Sequence, residues 1–221
     1  LAAYFINTRG TDEDQKKVNY NQSHLPVREQ TDAQGHAVRA VYLYTGMAYL
    51  AKETGEQTLI DACKTLWEDV TARKMYVTGG VGSTNIGEAF TSSYDLPSDT
   101  AYAETCAAIA LMFFSNAMLA LETDAKYADV VERALYNGVL SGLSLDGKKF
   151  FYTNPLEINL AERWSSSWGR RIFPITQRPD IFNCSCCPPN ILRYINSIAD
   201  FLYTEDGDTL YVHHYMNSTT E

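Results

Sequence analysis

Four of the five cysteines in this 221-residue sequence fall in two places. Cys106 stands in Glu104-Thr105-Cys106, and the other three crowd into Cys184-Ser185-Cys186-Cys187-Pro188-Pro189-Asn190. Disulfides are one reading, but an odd cysteine number, neighbours that seldom pair with each other and a chain long enough to build its own core weigh against it. Inert buried thiols are a second, and suit Cys63, inside an apolar helical stretch, best. The third is metal ligation, because thiolates are soft ligands that favour zinc, and three sulfurs with one carboxylate complete a tetrahedral site. Closed thiolate-rich sites are usually structural, so a structural zinc stays open beside a catalytic one.

Spacing constrains the elements that hold these groups. Residues two apart on an α-helix point about 200° away from each other, so Glu104 and Cys106 reach one metal only where the backbone is irregular or just entering a helix. Pro188-Pro189 cannot continue a helix but can begin one, which puts Cys186 and Cys187 immediately before a helix N-terminus. There the helix dipole and a metal both lower a thiol pKa, giving a thiolate that is nucleophile as well as ligand.

Around these segments the dominant period is helical. Apolar residues recur at three- and four-residue spacing through His36 to Glu53, Gln57 to Arg73, Thr100 to Glu122, Ala125 to Leu143 and Pro189 to Tyr203. Gly55, Thr123-Asp124 and Asp146-Gly147 punctuate them. Met75 to Thr78 and Lys149 to Thr153 read as short strands or extended connections. Successive helix pairs suggest an α/α toroid or bundle, a mainly α fold class. Two irregular stretches stand apart: the loop Thr78 to Glu88, with Gly79, Gly80, Gly82 and Gly87, and the aromatic, arginine-bearing stretch Leu160 to Pro179. The glycine loop lacks phosphate-loop spacing and reads either as functional or as a connection that needs positive φ angles.

Composition limits the partners. With 45% apolar and 12% aromatic residues the chain can bury a sizeable core, and a net charge of −9 without clustered Lys and Arg argues against nucleic acid. No apolar run approaches the ~18 residues of a membrane span and no signal-peptide order opens the chain, so a cytoplasmic setting without membrane is expected. Neutral small molecules or sugars fit better.

These residues resemble glycoside hydrolase family 127, the β-L-arabinofuranosidases. The motifs are Gly87-Glu88-Ala89-Phe90, Ala103-Glu104-Thr105-Cys106 and the Cys184 to Asn190 run. His24-Leu25-Pro26-Val27-Arg28, Gly35-His36-Ala37-Val38-Arg39 and Tyr152-Thr153-Asn154-Pro155-Leu156 follow the same order. The resemblance implies part of an (α/α)6 toroid over residues 1–205, then the start of a β-rich region over 206–221 that leads into a β-sandwich. It further implies Zn2+ held by Glu104, Cys106, Cys186 and Cys187, Cys186 as nucleophile, Glu88 as general acid/base, and His36 and Tyr152 as contacts to an arabinofuranoside oligosaccharide. Two other classes remain beside it: a structural or redox zinc-thiolate helical module, and a non-catalytic sugar-binding helical domain.

Other candidates read more plainly. His213 and His214 are adjacent on an expected strand, Thr209 to Met216, so they point to opposite faces and do not share a metal. Trp164 and Trp168 suit either sugar stacking or packing, and Glu132 either a brace for the site or an ordinary helix face. Leu1 to Ile6 reads as the tail of a helix already under way and no partner strand follows Met216, so a fragment is expected, with a half-toroid face that favours pairing into a homodimer.

Overall fold

Helix α4, Thr105–Leu119, is apolar all the way round, and every residue but Phe113 is buried. Such a helix is stable only when others cover each of its faces. Alanines at 107, 108, 110 and 117 let those neighbours approach closely. The computed structural model describes residues 1–11, 18–165, 172–182 and 184–219. One core joins α4 to α2 (Ala37–Thr54) and α3 (Gln57–Arg73) through Tyr44, Met47, Leu66, Trp67 and Phe114. A second joins it to α5 (Ala125–Arg133) and α6 (Cys187–Ser197) through Ile109, Met112, Val131, Ile191 and Tyr194. A short α1, Ala2–Thr8, adds Ile6 to the first core.

Most helix limits agree with the periodic pattern, and the departures have local causes. α2 ends on Gly55 in the left-handed conformation, the usual way to stop a helix. α4 begins five residues later than its apolar pattern suggests, because Ala103 sits at φ 38° and Glu104 is extended. The pattern that runs to Leu143 loses its regular turn at Arg133, widens to a π-helix over Ala134–Val139 and tightens again over Leu140–Gly142. Gly138 sits in the widened turn, where a Cβ would come within 3.1 Å of Ala108 and 3.4 Å of the Thr78 carbonyl. α6 begins at Cys187 and gives way to a 3-10 turn at Ile198–Phe201.

Extended structure is sparse. The expected C-terminal strand is confined to β4, Thr209–Val212, and its antiparallel partner precedes it: β3, Tyr203–Asp206, in residues the pattern assigned partly to the last helix. Trp164–Ser165 (β1) and Ile172–Phe173 (β2) form a second two-residue ladder. Single bridges matter more to the site: His36 and Thr84 each pair with Ala89, Met75 with Val81 and Glu104 with Thr153. The two segments expected as strands or connections are therefore extended connections. Among the described residues no helix is long and apolar enough to cross a membrane.

Candidate active site

Two helix N-termini converge on the cysteines. Glu104 is the N-cap of α4 and Cys106 its second residue; Cys186 is the N-cap of α6 and Cys187 its first. Neither N-cap side chain caps its own helix, so both are free to point elsewhere. The bend before α4 is clamped by the 151–154 strip. Thr105 N–H donates to Tyr152 O (2.9 Å), Thr105 Oγ1 to Phe151 O (2.8 Å), and Asn154 Nδ2 to Ala103 O (3.0 Å). Pro188 and Pro189 occupy the first turn of α6, where a missing N–H costs nothing.

The result is a tight anionic cluster. Ligand atoms of Glu104, Cys106, Cys186 and Cys187 all lie within 4.8 Å of one another. Cys186 Sγ is 3.4 Å from Cys106 Sγ, 3.3 Å from Glu104 Oε1 and 3.8 Å from Cys187 Sγ. Hydrogen bonds from Cys186 and Cys187 pull the Cys106 thiol down to about 5. The thiolate so formed holds Cys186 and Cys187 above their ordinary range, and burial, then the Cys186 charge, pushes Glu104 well up. Four acids thus share one place and resist ionising together. Glu104 Oε2 is buried without a hydrogen-bond partner. A cation at the centre would satisfy that oxygen, and both helix dipoles point their positive ends toward the same charge. These four residues could hold a metal ion.

Beside the cluster opens a cavity of about 650 Å³, whose wall includes His36, Glu88, Glu104, Tyr152, Cys184 and Cys186. Glu88 arrives on the glycine loop at φ 52°, in the left-handed region, just after Gly87 at φ 70°. Close approach sets the other end of that loop: a Cβ on Gly79 would meet Ala134 Cα at 2.6 Å, so only glycine fits. Three side chains grip the Glu88 carboxylate. Tyr102 Oη donates to Oε1 at 2.9 Å, His36 Nε2 lies 3.2 Å from Oε2 and Tyr152 Oη 3.4 Å from the same oxygen. Burial, then the nearby carboxylates, holds both phenols well above their usual range, so they remain donors. His36 is also the N-cap of α2, its Nδ1 accepting a long 3.5 Å bond from Arg39 N–H. His36, Glu88 and Glu104 also have ligand spacing, but Glu88 is already engaged by protein donors.

Residues 1–200 match the family model for the beta-L-arabinofuranosidase GH127 catalytic domain. The chain belongs to this family. It is 45% identical over 207 residues, 93% of its length, to a non-reducing end beta-L-arabinofuranosidase of Bifidobacterium longum subsp. longum, of which it covers 31%. Its fold is similar to that of a GH127 beta-L-arabinofuranosidase from Geobacillus stearothermophilus T6, at TM-score 0.86 and 52% identity, covering 96% of this chain and 36% of that one. A second solved GH127 beta-arabinofuranosidase gives 0.84 and 43%, covering 96% and 31%. The chain therefore spans about a third of the length of these relatives.

Every residue singled out through the GH127 resemblance lies at the cluster or the cavity. Of the other candidates, Cys184 alone among the described residues does so. Cys63 is buried in α3, where burial pushes its thiol to about 12. Cys184 is exposed at the cavity wall, outside the four-residue cluster. Glu132 is exposed on α5 and its charge acts on His214, which is buried behind β4. His213 bonds Thr204 at 2.7 Å. Trp168 lies outside the described residues, as does the Trp164 side chain. Tyr102 was missed because a lone tyrosine before Ala103-Glu104 carries no spacing signal; only the fold brings it to Glu88.

Proposed function

We infer that this chain carries the catalytic centre of a retaining glycoside hydrolase that releases L-arabinose from β-L-arabinofuranosides. The reading is carried by one cavity whose wall holds both a carboxylate gripped by donors, Glu88, and a cysteine sulfur, Cys186. Its substrate class follows the names of the GH127 relatives. The donor set Glu104, Cys106, Cys186 and Cys187 suits zinc, a soft-accepting cation of tetrahedral preference. When bound there, zinc supplies the positive charge that keeps Cys186 deprotonated at neutral pH.

Cys186 Sγ attacks the anomeric carbon as the carbon–oxygen bond to the leaving group breaks, and Glu88 delivers its proton to that oxygen. Glu88, now a carboxylate, takes a proton from water, whose oxygen displaces the sulfur and regenerates the thiolate. Two displacements on one carbon retain its configuration. His36 and Tyr152 face the same cavity and hydrogen-bond furanose hydroxyls. An (α/α)6 toroid leading near residues 205–206 into a β-sandwich is the architecture proposed, supported by the helix pairs and the GH127 likeness. Free cysteines suit a reducing, cytoplasmic setting.

The test is turnover of an aryl β-L-arabinofuranoside by the product of the complete gene. Glu88→Ala should lose about 10²- to 10⁴-fold, the usual share of a general acid/base. A slow substrate should leave a pentosyl adduct on Cys186, located by peptide mass spectrometry. Wild-type turnover by folded Cys186→Ser would refute the nucleophile and leave the cysteine cluster a structural role beside a different nucleophile.

A further inference from the structure

The two tyrosines that touch Glu88 are not equivalent. Tyr152 lines the cavity, whereas Tyr102, at 3% exposure, reaches Glu88 without being one of its lining residues. Its hydroxyl donates to Oε1 at 2.9 Å, whereas His36 and Tyr152 both lie on the Oε2 side, at 3.2 and 3.4 Å. Tyr102 is itself fixed. Its carbonyl accepts Asn154 N–H at 3.3 Å, its ring packs edge-on to Tyr152 with centroids 6.0 Å apart, and the left-handed Ala103 that follows turns the chain toward Glu104.

We propose that Tyr102 is the positioning residue of the acid/base: it ties Oε1 down and leaves Oε2, the oxygen facing His36 and Tyr152, to exchange the proton with the glycosidic oxygen. This rests on the assignment of Glu88 as acid/base. A carboxyl held on the Oε2 side alone still binds sugar but presents its proton poorly. The loss therefore falls on kcat, and most heavily on substrates whose leaving group needs protonation.

The experiment compares β-L-arabinofuranosides with leaving groups from 2,4-dinitrophenyl through phenyl to methyl, using the complete gene product loaded with zinc. Glu88→Gln fixes the reference: rates should depend steeply on leaving-group pKa, while wild type is shallow. Equal slopes for those two would remove the acid/base assignment itself, whatever Tyr102 does. Tyr102→Phe should lower kcat roughly tenfold or more for the methyl glycoside, the factor that about 1.4 kcal/mol of a hydrogen bond to a charged group represents. KM should stay within about twofold, and the dinitrophenyl glycoside should be nearly unaffected. Tyr152→Phe, which touches substrate, should instead raise KM. A Tyr102→Phe slope equal to wild type, or an equal loss on all leaving groups, overturns the proposal. If Tyr102→Phe does not fold, 4-fluorophenylalanine at 102 fills the space of the hydroxyl without donating; an unmoved slope there overturns it equally.

Discussion

Two ionisable clusters, each with buried members, are built oppositely. In one, Lys74 Nζ, 3% exposed at its side chain, meets Asp32, Asp69 Oδ2 at 3.2 Å and the Ala33 carbonyl at 2.7 Å. Asp69 Oδ2 also accepts Ala33 N–H at 2.8 Å, and Arg73 reaches its other oxygen at 3.4 Å. Burial works against the Asp32 carboxylate, but hydrogen bonds from Lys74 and Gln34 win, holding it below its usual range. This cluster contains its own cation. In the other, Glu104, Cys106, Cys186 and Cys187 are all acids, and only Cys106 moves down. The first cluster is complete as folded and locks the 30–36 segment that leads to His36. The second makes sense as a receptor for positive charge. Burial of charge alone does not mark a functional site; an unbalanced sign does.

The largest expected effect tests the complete cluster. Lys74→Met leaves Asp69, 2% exposed at its side chain, facing Asp32 with no ammonium between them. Removing one partner of a buried pair costs about 3–5 kcal/mol, so urea unfolding should show a loss of that order. A loss under about 1 kcal/mol would mean that water already reaches this cluster, and the contrast drawn above would fail. A pH series sharpens the point. Because the folded-state pKa of Asp32 is depressed, its contribution is present above the unfolded value and fades as pH falls through the folded one. The wild type should therefore lose stability on acidification below about pH 4, and Lys74→Met should lose much of that slope.

The unbalanced cluster should behave the other way, with little effect on metal-free stability and a large one on metal. Cys106→Ser should weaken zinc binding by at least about a hundredfold, as much as loss of an outer partner of a metal ligand already costs. With one of four ligand groups already ionised near neutral pH, zinc should displace up to about three protons, from Glu104, Cys186 and Cys187. Affinity should rise with pH accordingly. Calorimetry in buffers of different ionisation enthalpy counts those protons, and release of one or none would show that the acids were not held protonated.

How much of this could be read from the sequence differs between the same two clusters. Cysteine crowding, the Pro188-Pro189 pair and the two-residue spacing of Glu104 and Cys106 encode helix N-termini locally, so the site's chemistry and its placement were legible together. The assignment of roles to Glu88, His36 and Tyr152 came through family resemblance, because three loops far apart in sequence meet through tertiary pairing, the Ala89 and Thr153 bridges among it. The Lys74 cluster and Tyr102 left no signal: single residues acquire their partners from tertiary packing alone. The same holds for the hairpin, whose first strand begins on Tyr203, the last residue the helical periodicity took in. The π-helical turn at Ala134–Val139 was equally hidden, since its apolar spacing continues that of α5.

The smallest expected effect belongs to a third pair, which separates burial from charge pairing. Arg28 Nε and Nη2 reach both Glu56 oxygens at 2.5 and 2.7 Å in a two-pronged fork, and hydrogen bonds from Arg28 and Thr58 pull Glu56 down to about 2. Yet the two side chains are 29% and 36% exposed, so water competes for both charges. Glu56→Gln should cost under about 1 kcal/mol in urea unfolding, the usual range for an exposed pair, and raised salt should shrink even that. A cost near that of Lys74→Met would show that pairing geometry, rather than exclusion of water, sets the strength of ion pairs here. It would also remove the reason for treating the buried acids of the cysteine cluster as a site that requires a cation.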